Sequence, residues 1–215
     1  MVIAIDGPAG SGKSTIAKML AEKLTGKDGK PYTYINSGRL YRAITLGCLR
    51  ANIDIKDSEK VIEFAQNVNI EYENNALYLN GEEVSALLHT DEIDRNSSPL
   101  SAIVPVRHIV NDLVHSLAKG RNIVVEGRDM TTVVFPNAEH RFYLDASADS
   151  RAKRRFEQGT SNLTLEEIKT AILKRDEIDK NKVEGSLKIA PGVQYLDTSD
   201  LTIVQVYDRL KEYTD

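Results

Sequence analysis

Near the start of the chain, Gly7-Pro8-Ala9-Gly10-Ser11-Gly12-Lys13-Ser14 carries the spacing G-x-x-x-x-G-K-[ST] in full. Glycines at these places let the backbone curl until successive N–H groups face one anion, and a helix starting at the turn adds the positive end of its dipole. The lysine brings a positive charge to the β- and γ-phosphates of a nucleotide, and the hydroxyl behind it can ligate Mg²⁺. The segment therefore reads as a triphosphate site, with Gly7, Pro8, Ala9, Gly10, Ser11, Gly12, Lys13, Ser14 and the following Thr15 around the phosphates. Lys13 is expected on a solvent-facing loop and Ser14 at the metal.

Further chemistry gathers at other predicted strand ends. Glu126-Gly127-Arg128-Asp129 follows an apolar run, so either Glu126 or Asp129 can address water on the metal. Arg42, after Ser37-Gly38-Arg39-Leu40-Tyr41, and Arg128 can each form a bidentate pair with an acceptor phosphate, a geometry guanidinium serves better than ammonium. Arg151 and Arg155 lie four apart on a predicted helix and so share a face able to close over phosphates. Closure of that kind also keeps water from competing as acceptor.

These groups need a frame. Val2–Asp6 reads as a buried strand running through the glycine-rich turn into a helix over Ser14–Leu24, where Ile16, Ala17, Leu20 and Leu24 recur at helical spacing. Tyr32–Asn36 reads as a strand, Leu40–Ala51 as a helix, and Ser58–Asn67 as a helix capped by Asp57 or Ser58. Asn69–Glu73, Ala76–Leu79 and Glu83–Leu87 read as short strands joined at Asn74-Asn75 and Asn80-Gly81, a small antiparallel insert. A helix over Pro105–Lys119 stops at Gly120, and the strands Asn122–Glu126 and Arg141–Asp145 follow. Ala148–Gln158 is a predicted helix, and Thr164-Leu165-Glu166-Glu167 has the form of a capping box opening a helix to Lys180. Val193–Leu196 and Thr202–Tyr213 close the series as strand and helix. Strands alternating with helices imply an α/β fold with a mostly parallel sheet flanked by helices, which binds ligands beyond the carboxyl ends of its strands.

Composition narrows the class. Lys+Arg 28 against Asp+Glu 32 leaves a charge of −4, which argues against a nucleic-acid partner, while 41% hydrophobic and 28% charged residues are ordinary for a globular chain of 215. The lone Cys48 excludes an internal disulfide and sits in an apolar helical context as filler. His89, His108, His115 and His140 show no paired metal-ligand spacing. No apolar run approaches the ~18 residues of a membrane span, and nothing at Met1–Asp6 resembles a leader. The expectation is a cytoplasmic monomer of one domain, residues 1–215, with no membrane partner.

Taken together, the segments resemble the bacterial cytidylate kinase family over essentially the whole chain. The matching pieces are Gly7–Thr15, Ser37-Gly38-x-x-Tyr41-Arg42, the Ser98-to-Arg107 segment, Gly127-Arg128-Asp129-Met130-Thr131-Thr132-Val133-Val134-Phe135-Pro136, and Arg175-Asp176-x-x-Asp179-x-Asn181. The resemblance implies a P-loop nucleoside-monophosphate kinase fold with a monophosphate-binding insert over about 68–98 and a lid over about 151–164. It implies ATP as donor, Mg²⁺, and CMP or dCMP as acceptor. By the family's pattern Ser37, Tyr41, Arg42 and Arg128 address the acceptor's phosphate end, and Ser98, Arg107 and Asp129 read the cytosine edge. Arg175 and Asp179 serve the sugar and phosphate side. Lys13, Arg128, Asp129 and Arg175 make up the catalytic set, and Arg151 and Arg155 the lid's contribution to the donor.

The chain departs from the pattern at Asn36, where Asp is common, at Thr131, where Gly is usual, and at Ile178 and Lys182, where arginines are frequent. These changes bear on lid geometry and rate more than on substrate class. A P-loop kinase for another small acceptor, such as a different nucleoside monophosphate or shikimate, is the alternative enzyme. A non-catalytic nucleotide-binding switch is the alternative outside enzymes.

Overall fold

The computed structural model describes residues 1–73, 76–159 and 161–214. The chain divides into two compact units, residues 1–35 with 120–215 and residues 36–119.

The first unit is built on a sheet of five strands in the order β2-β6-β1-β7-β8. These are β1 (Val2–Asp6), β2 (Tyr32–Asn36), β6 (Asn122–Glu126), β7 (His140–Asp145) and β8 (Gln194–Asp197). The pairs β1/β6, β1/β7 and β7/β8 are all parallel, with Ile3 opposite Val124 on one side and His140 on the other. Parallel pairing explains why β1 and β6 read as near-continuous apolar runs: both of their faces are covered. Helix α1 (Lys13–Lys23) lies against this sheet through Ile16, Ala17 and Leu20, which are buried with Ile3, Ile5 and Val124. Helix α8 (Ile203–Lys211) adds Val206, Tyr207 and Leu210 to the same core. Helices α6 (Ala148–Glu157) and α7 (Leu165–Lys180) pack on each other through Ala152, Ile168 and Ile172. The capping box expected at Thr164 is present, with Thr164 N–H donating to Glu167 Oε2 at 2.8 Å. A second one at Thr202 and Gln205 opens α8.

The second unit contains α2 (Ser37–Arg50), α3 (Ser58–Asn67), α4 (Asp91–Leu100) and α5 (Val104–Ala118). It also holds the antiparallel sheet β3 (Ile70–Glu73), β4 (Ala76–Leu79) and β5 (Glu82–Glu83). Asn80 and Gly81 turn β4 into β5 with φ of 52° and 83°, the positive values a tight hairpin requires. The turn expected at Asn74-Asn75 lies outside the described residues.

Two expectations for this unit are corrected. The strand expected over Glu83–Leu87 ends at Glu83, and Ser85–Leu87 is a turn of 3-10 helix. Residues 91–100, with no helix expected, form α4. Thr90 caps it by accepting from Ile93 N–H at 3.2 Å, and Asp91, Glu92 and Asp94 complement the dipole of its first turn. Ile93, Ser97 and Leu100 then make its buried stripe. Cys48 is fully buried in α2, where burial pushes its thiol up to about 11, in keeping with a filler's role.

Candidate active site

Because the strands of the first unit run parallel, the P-loop after β1, the Glu126 loop after β6, Ala146 after β7 and Thr198 after β8 all leave the same edge of the sheet. The tight fit starts at Gly7, whose φ is +148° and where an added Cβ would stand 1.9 Å from the Leu144 carbonyl oxygen of β7. Gly12 caps α1 with φ 92°, a left-handed conformation. Helix α1 then begins at Lys13 itself, so its free N–H groups face the loop.

Lys13 is not on a solvent-facing loop. It is 4% exposed, and its Nζ donates to Pro8 O at 2.7 Å and reaches Ser11 Oγ at 3.5 Å. Burial pulls its ammonium down to about 7, with Arg128 and Arg175 pushing the same way and Glu126 and Asp6 opposing. An anion placed in the loop would restore the charge, which is how a buried lysine couples to phosphate.

Ser14 Oγ lies 2.5 Å from Glu126 Oε1, and the Tyr34 hydroxyl donates to the same oxygen at 3.1 Å. Of the two acids left open by spacing, Glu126 is thus the one seated on the P-loop hydroxyl. Hard oxygen donors of this kind, one hydroxyl and one carboxylate, suit Mg²⁺, which keeps the rest of its shell for water and phosphate.

Asp179 gathers the cations. It accepts from Arg128 Nε at 2.8 Å and Lys182 Nζ at 2.7 Å, with Arg175 Nε at 4.0 Å. Burial alone would raise this carboxyl, but the three cations hold it well below the usual carboxylate range. Lys182, standing where an arginine is frequent, therefore keeps a charge-assisted bond even without the fork.

Asp129 is buried, and the turn after it is a π-helical turn over Met130–Val134, with Val133 N–H and Val134 N–H both bonded to Asp129 O. That loop is fastened to β1 by Asp6, which sequence reasoning missed. Asp6 accepts from Met130 N–H at 2.9 Å, Thr131 N–H at 2.7 Å and Thr131 Oγ1 at 2.6 Å. The available signal was a carboxylate ending a strand that is buried from Ile3 onward. Burial raises Asp6 to about 6 against the lowering by those three bonds, and neighbouring Asp129 adds to the rise. Thr131, where glycine is usual, supplies the side-chain bond.

A folded-state carboxyl raised above its unfolded value contributes most at pH below 3.8 and loses that contribution as pH rises through 6, where the buried carboxylate must be held by its donors. Thr131→Ala, which removes one of those donors, is therefore expected to lower stability by roughly 1–3 kcal/mol at pH 8 and by less at pH 5. Denaturant unfolding at the two pH values checks this.

The arginines expected on the lid face are placed differently from each other. Arg151 is 5% exposed and engages Ala146 O, Ala9 O and Asp176, while half-buried Arg155 lies 3.4 Å from Gln158 Oε1. Within the expected lid, Thr160 lies outside the described residues. In the second unit Arg42 donates to Leu88 O at 2.8 Å and pairs with Asp94. Arg107 is 2% exposed, donates to Ser101 O at 2.9 Å, and sits 5.9 Å from the Tyr41 ring. Ser101 in turn donates to Ser98 O at 2.8 Å, so Ser98 and Arg107 meet through it. Ser37 is buried as the first residue of α2, and Asn36 caps that helix by accepting from Arg39 N–H at 3.1 Å, a task asparagine performs as well as aspartate.

A family model described as cytidylate kinase matches residues 3–215. The chain belongs to the cytidylate kinase family. A member named cytidylate kinase from Caldanaerobacter subterraneus subsp. tengcongensis is 42% identical over 214 residues, covering 98% of this chain and 92% of its own length. One from Clostridioides difficile (strain 630) is 36% identical, covering 98% and 96%, and one from Borreliella burgdorferi (strain ZS7) is 43% identical, covering 93% and 90%. Among solved structures, shikimate kinase from Bacteroides thetaiotaomicron superposes with a TM-score of 0.52 at 13% identity, covering 100% of this chain and 98% of its own. At that identity the likeness establishes the P-loop kinase fold and nothing about acceptor. Family membership implies ATP as the phosphoryl donor.

Proposed function

We propose that the protein transfers the γ-phosphoryl group of ATP to CMP or dCMP, giving ADP and CDP or dCDP, as a cytoplasmic monomer dependent on Mg²⁺. What supports this most is the family match over residues 3–215, which takes in both the P-loop and the Gly127-Arg128-Asp129-Met130 loop. No helix among the described residues is long and apolar enough to cross a membrane.

Phosphoryl transfer asks the protein to position two nucleotides and to neutralise charge. On this reading the N–H groups of the loop Gly7–Thr15 hold the donor phosphates, and Lys13 leaves Pro8 O for the β- and γ-phosphates. Ser14 and Glu126 would hold Mg²⁺, which when bound neutralises the charge developing on the phosphates. Arg128 and Arg175, already gathered on Asp179, face the acceptor's phosphate and sugar, and Asp129 reads the cytosine amino group. In the second unit, Ser37, Tyr41 and Arg42 are assigned to the acceptor phosphate, and Ser98 and Arg107 to the base. Arg155 is assigned to the donor side. The region 68–98 is assigned to monophosphate binding and 151–164 to the lid of a single kinase domain.

A coupled assay of ADP release, run with CMP, dCMP, AMP, UMP and shikimate in turn, tests the assignment. The expected result is acceptor-dependent release with CMP and dCMP far above the others. Release of similar size with AMP or shikimate, or no acceptor dependence at all, would overturn it.

A further inference from the structure

The P-loop is gripped from behind. Arg151, on α6, donates Nη1 to Ala9 O at 3.0 Å and Nε to Ala146 O at 2.9 Å. Asp176, on α7, takes Nη1 at 3.2 Å and Nη2 at 2.7 Å in a bidentate pair, both side chains being 6% exposed. One helical turn along, Arg154 donates to Thr198 Oγ1 at 3.1 Å and also to Thr198 O. Thr198, 2% exposed, lies with its hydroxyl 3.1 Å from Ser11 O and 2.9 Å from Asp145 O. The loop also lies close on α6: a Cβ at Gly10 would stand 3.1 Å from Arg151 Cβ.

The oxygens seized are the ones that matter for aim. A trans peptide is planar, and its C=O and N–H point in opposite directions. Holding Ala9 O therefore fixes the direction of Gly10 N–H, and holding Ser11 O fixes that of Gly12 N–H. A phosphate cradle of successive N–H groups works only when those vectors converge, so their carbonyls necessarily lie on the outer side. Charge on a carbonyl oxygen also polarises the whole peptide and strengthens its N–H as a donor.

We propose that Arg151, oriented by Asp176, and Thr198, oriented by Arg154, are positioning residues of the donor loop: they set the Ala9–Gly10 and Ser11–Gly12 peptide planes so that two N–H groups face the donor phosphates. The proposal rests on the reading that those phosphates lie in the P-loop. It gives Arg151 a role different from a finger laid on the phosphates, since its fork is spent on two carbonyls and a buried carboxylate.

Two weakened variants and one restored variant separate the roles. Asp176→Asn keeps Arg151 and its charge but weakens the bidentate hold. Thr198→Val keeps the shape of the side chain but removes the hydroxyl, and Thr198→Ser restores it. Calorimetric titration with ADP, with no acceptor present, is expected to show affinity weakened by about 5- to 20-fold in both Asp176→Asn and Thr198→Val. Thr198→Ser is expected within about twofold of wild type, as a retained hydroxyl requires. In steady-state assays the KM for ATP should rise in both weakened variants while the KM for CMP stays unchanged. Unchanged ADP affinity accompanied by a lower Tm would overturn the proposal, leaving a structural role alone. Tighter ADP binding in Asp176→Asn would also overturn it, because that is what an arginine released onto the phosphates produces. The titration contains no acceptor, so a failure of the CMP assignment would appear in the wild-type coupled assay and leave these affinities to be read on their own.

Discussion

Lys13→Ala is expected to lower turnover by at least about 10²-fold while the folded protein melts no lower than wild type at neutral pH. The first half follows from the role proposed for Lys13 at the β- and γ-phosphates, in a buried setting that feels the charges of Glu126, Arg128 and Arg175. The second half follows from burial. The ammonium falls from 10.5 to about 7 in the folded state, so between those values the unfolded chain binds the proton more tightly. The sign is then fixed: stability of the wild type rises with pH from 7 to 10.5 and carries the full cost of the buried charge below 7. Removing the side chain removes that cost together with the bond to Pro8 O. The Tm difference between variant and wild type should therefore shift in the variant's favour as pH falls from 10 to 7, and level off below. Turnover from a coupled assay and melting at several pH values check both halves. Wild-type-like turnover would sink the P-loop assignment, and a Tm difference that ignores pH would sink the account of the lysine's charge.

How much of this was legible beforehand follows from what periodicity and motif can see. The strand-turn-helix around Gly7–Ser14 reads directly because each of its demands, a buried strand, left-handed glycines and a helix start, has its own residue signature. The capping box at Thr164 is legible for the same reason, since the pairing is local. Helix α4 was not, because its ten residues carry few apolar positions and its stripe depends on Ser97 as well as Ile93 and Leu100. The site divides in the same way. Spacing could place Glu126 and Asp129 in one loop but could not say which meets Ser14, because that 2.5 Å contact joins residues 112 apart in sequence. Asp6 and Thr198 escaped for the same reason. Each holds a functional loop through a partner far along the chain, and a lone Asp or Thr at a strand end has no local pattern that announces it. The lysine's burial also escaped, since a motif specifies residue types and not the depth to which the loop closes on them.

Asp129→Ala is expected to lower kcat/KM for CMP strongly and to narrow the ratio of CMP to UMP by about 5- to 150-fold, the equivalent of roughly 1–3 kcal/mol for facing a rejected base with an unpaired acceptor. Four backbone bonds of the loop do not run through this carboxylate. Met130 N–H and Thr131 N–H are held by Asp6, and the bonds from Val133 and Val134 go to the Asp129 carbonyl, which alanine keeps. Those four bonds are kept in the alanine variant. Cytosine offers an amino group where uracil offers a carbonyl, so a carboxylate attracts one base and repels the other, and both effects vanish together in the alanine variant. Asp129→Asn sharpens the test. An amide can turn its oxygen to the cytosine amino group or its nitrogen to the uracil carbonyl, so this variant should recover activity on both bases and show little preference between them. The pair of kcat/KM values for CMP and UMP in wild type and the two variants decides the matter. Equal loss on both bases in Asp129→Ala, with no recovery in Asp129→Asn, would mean that the carboxylate serves the metal or the loop. Base selection would then rest with Ser98 and Arg107.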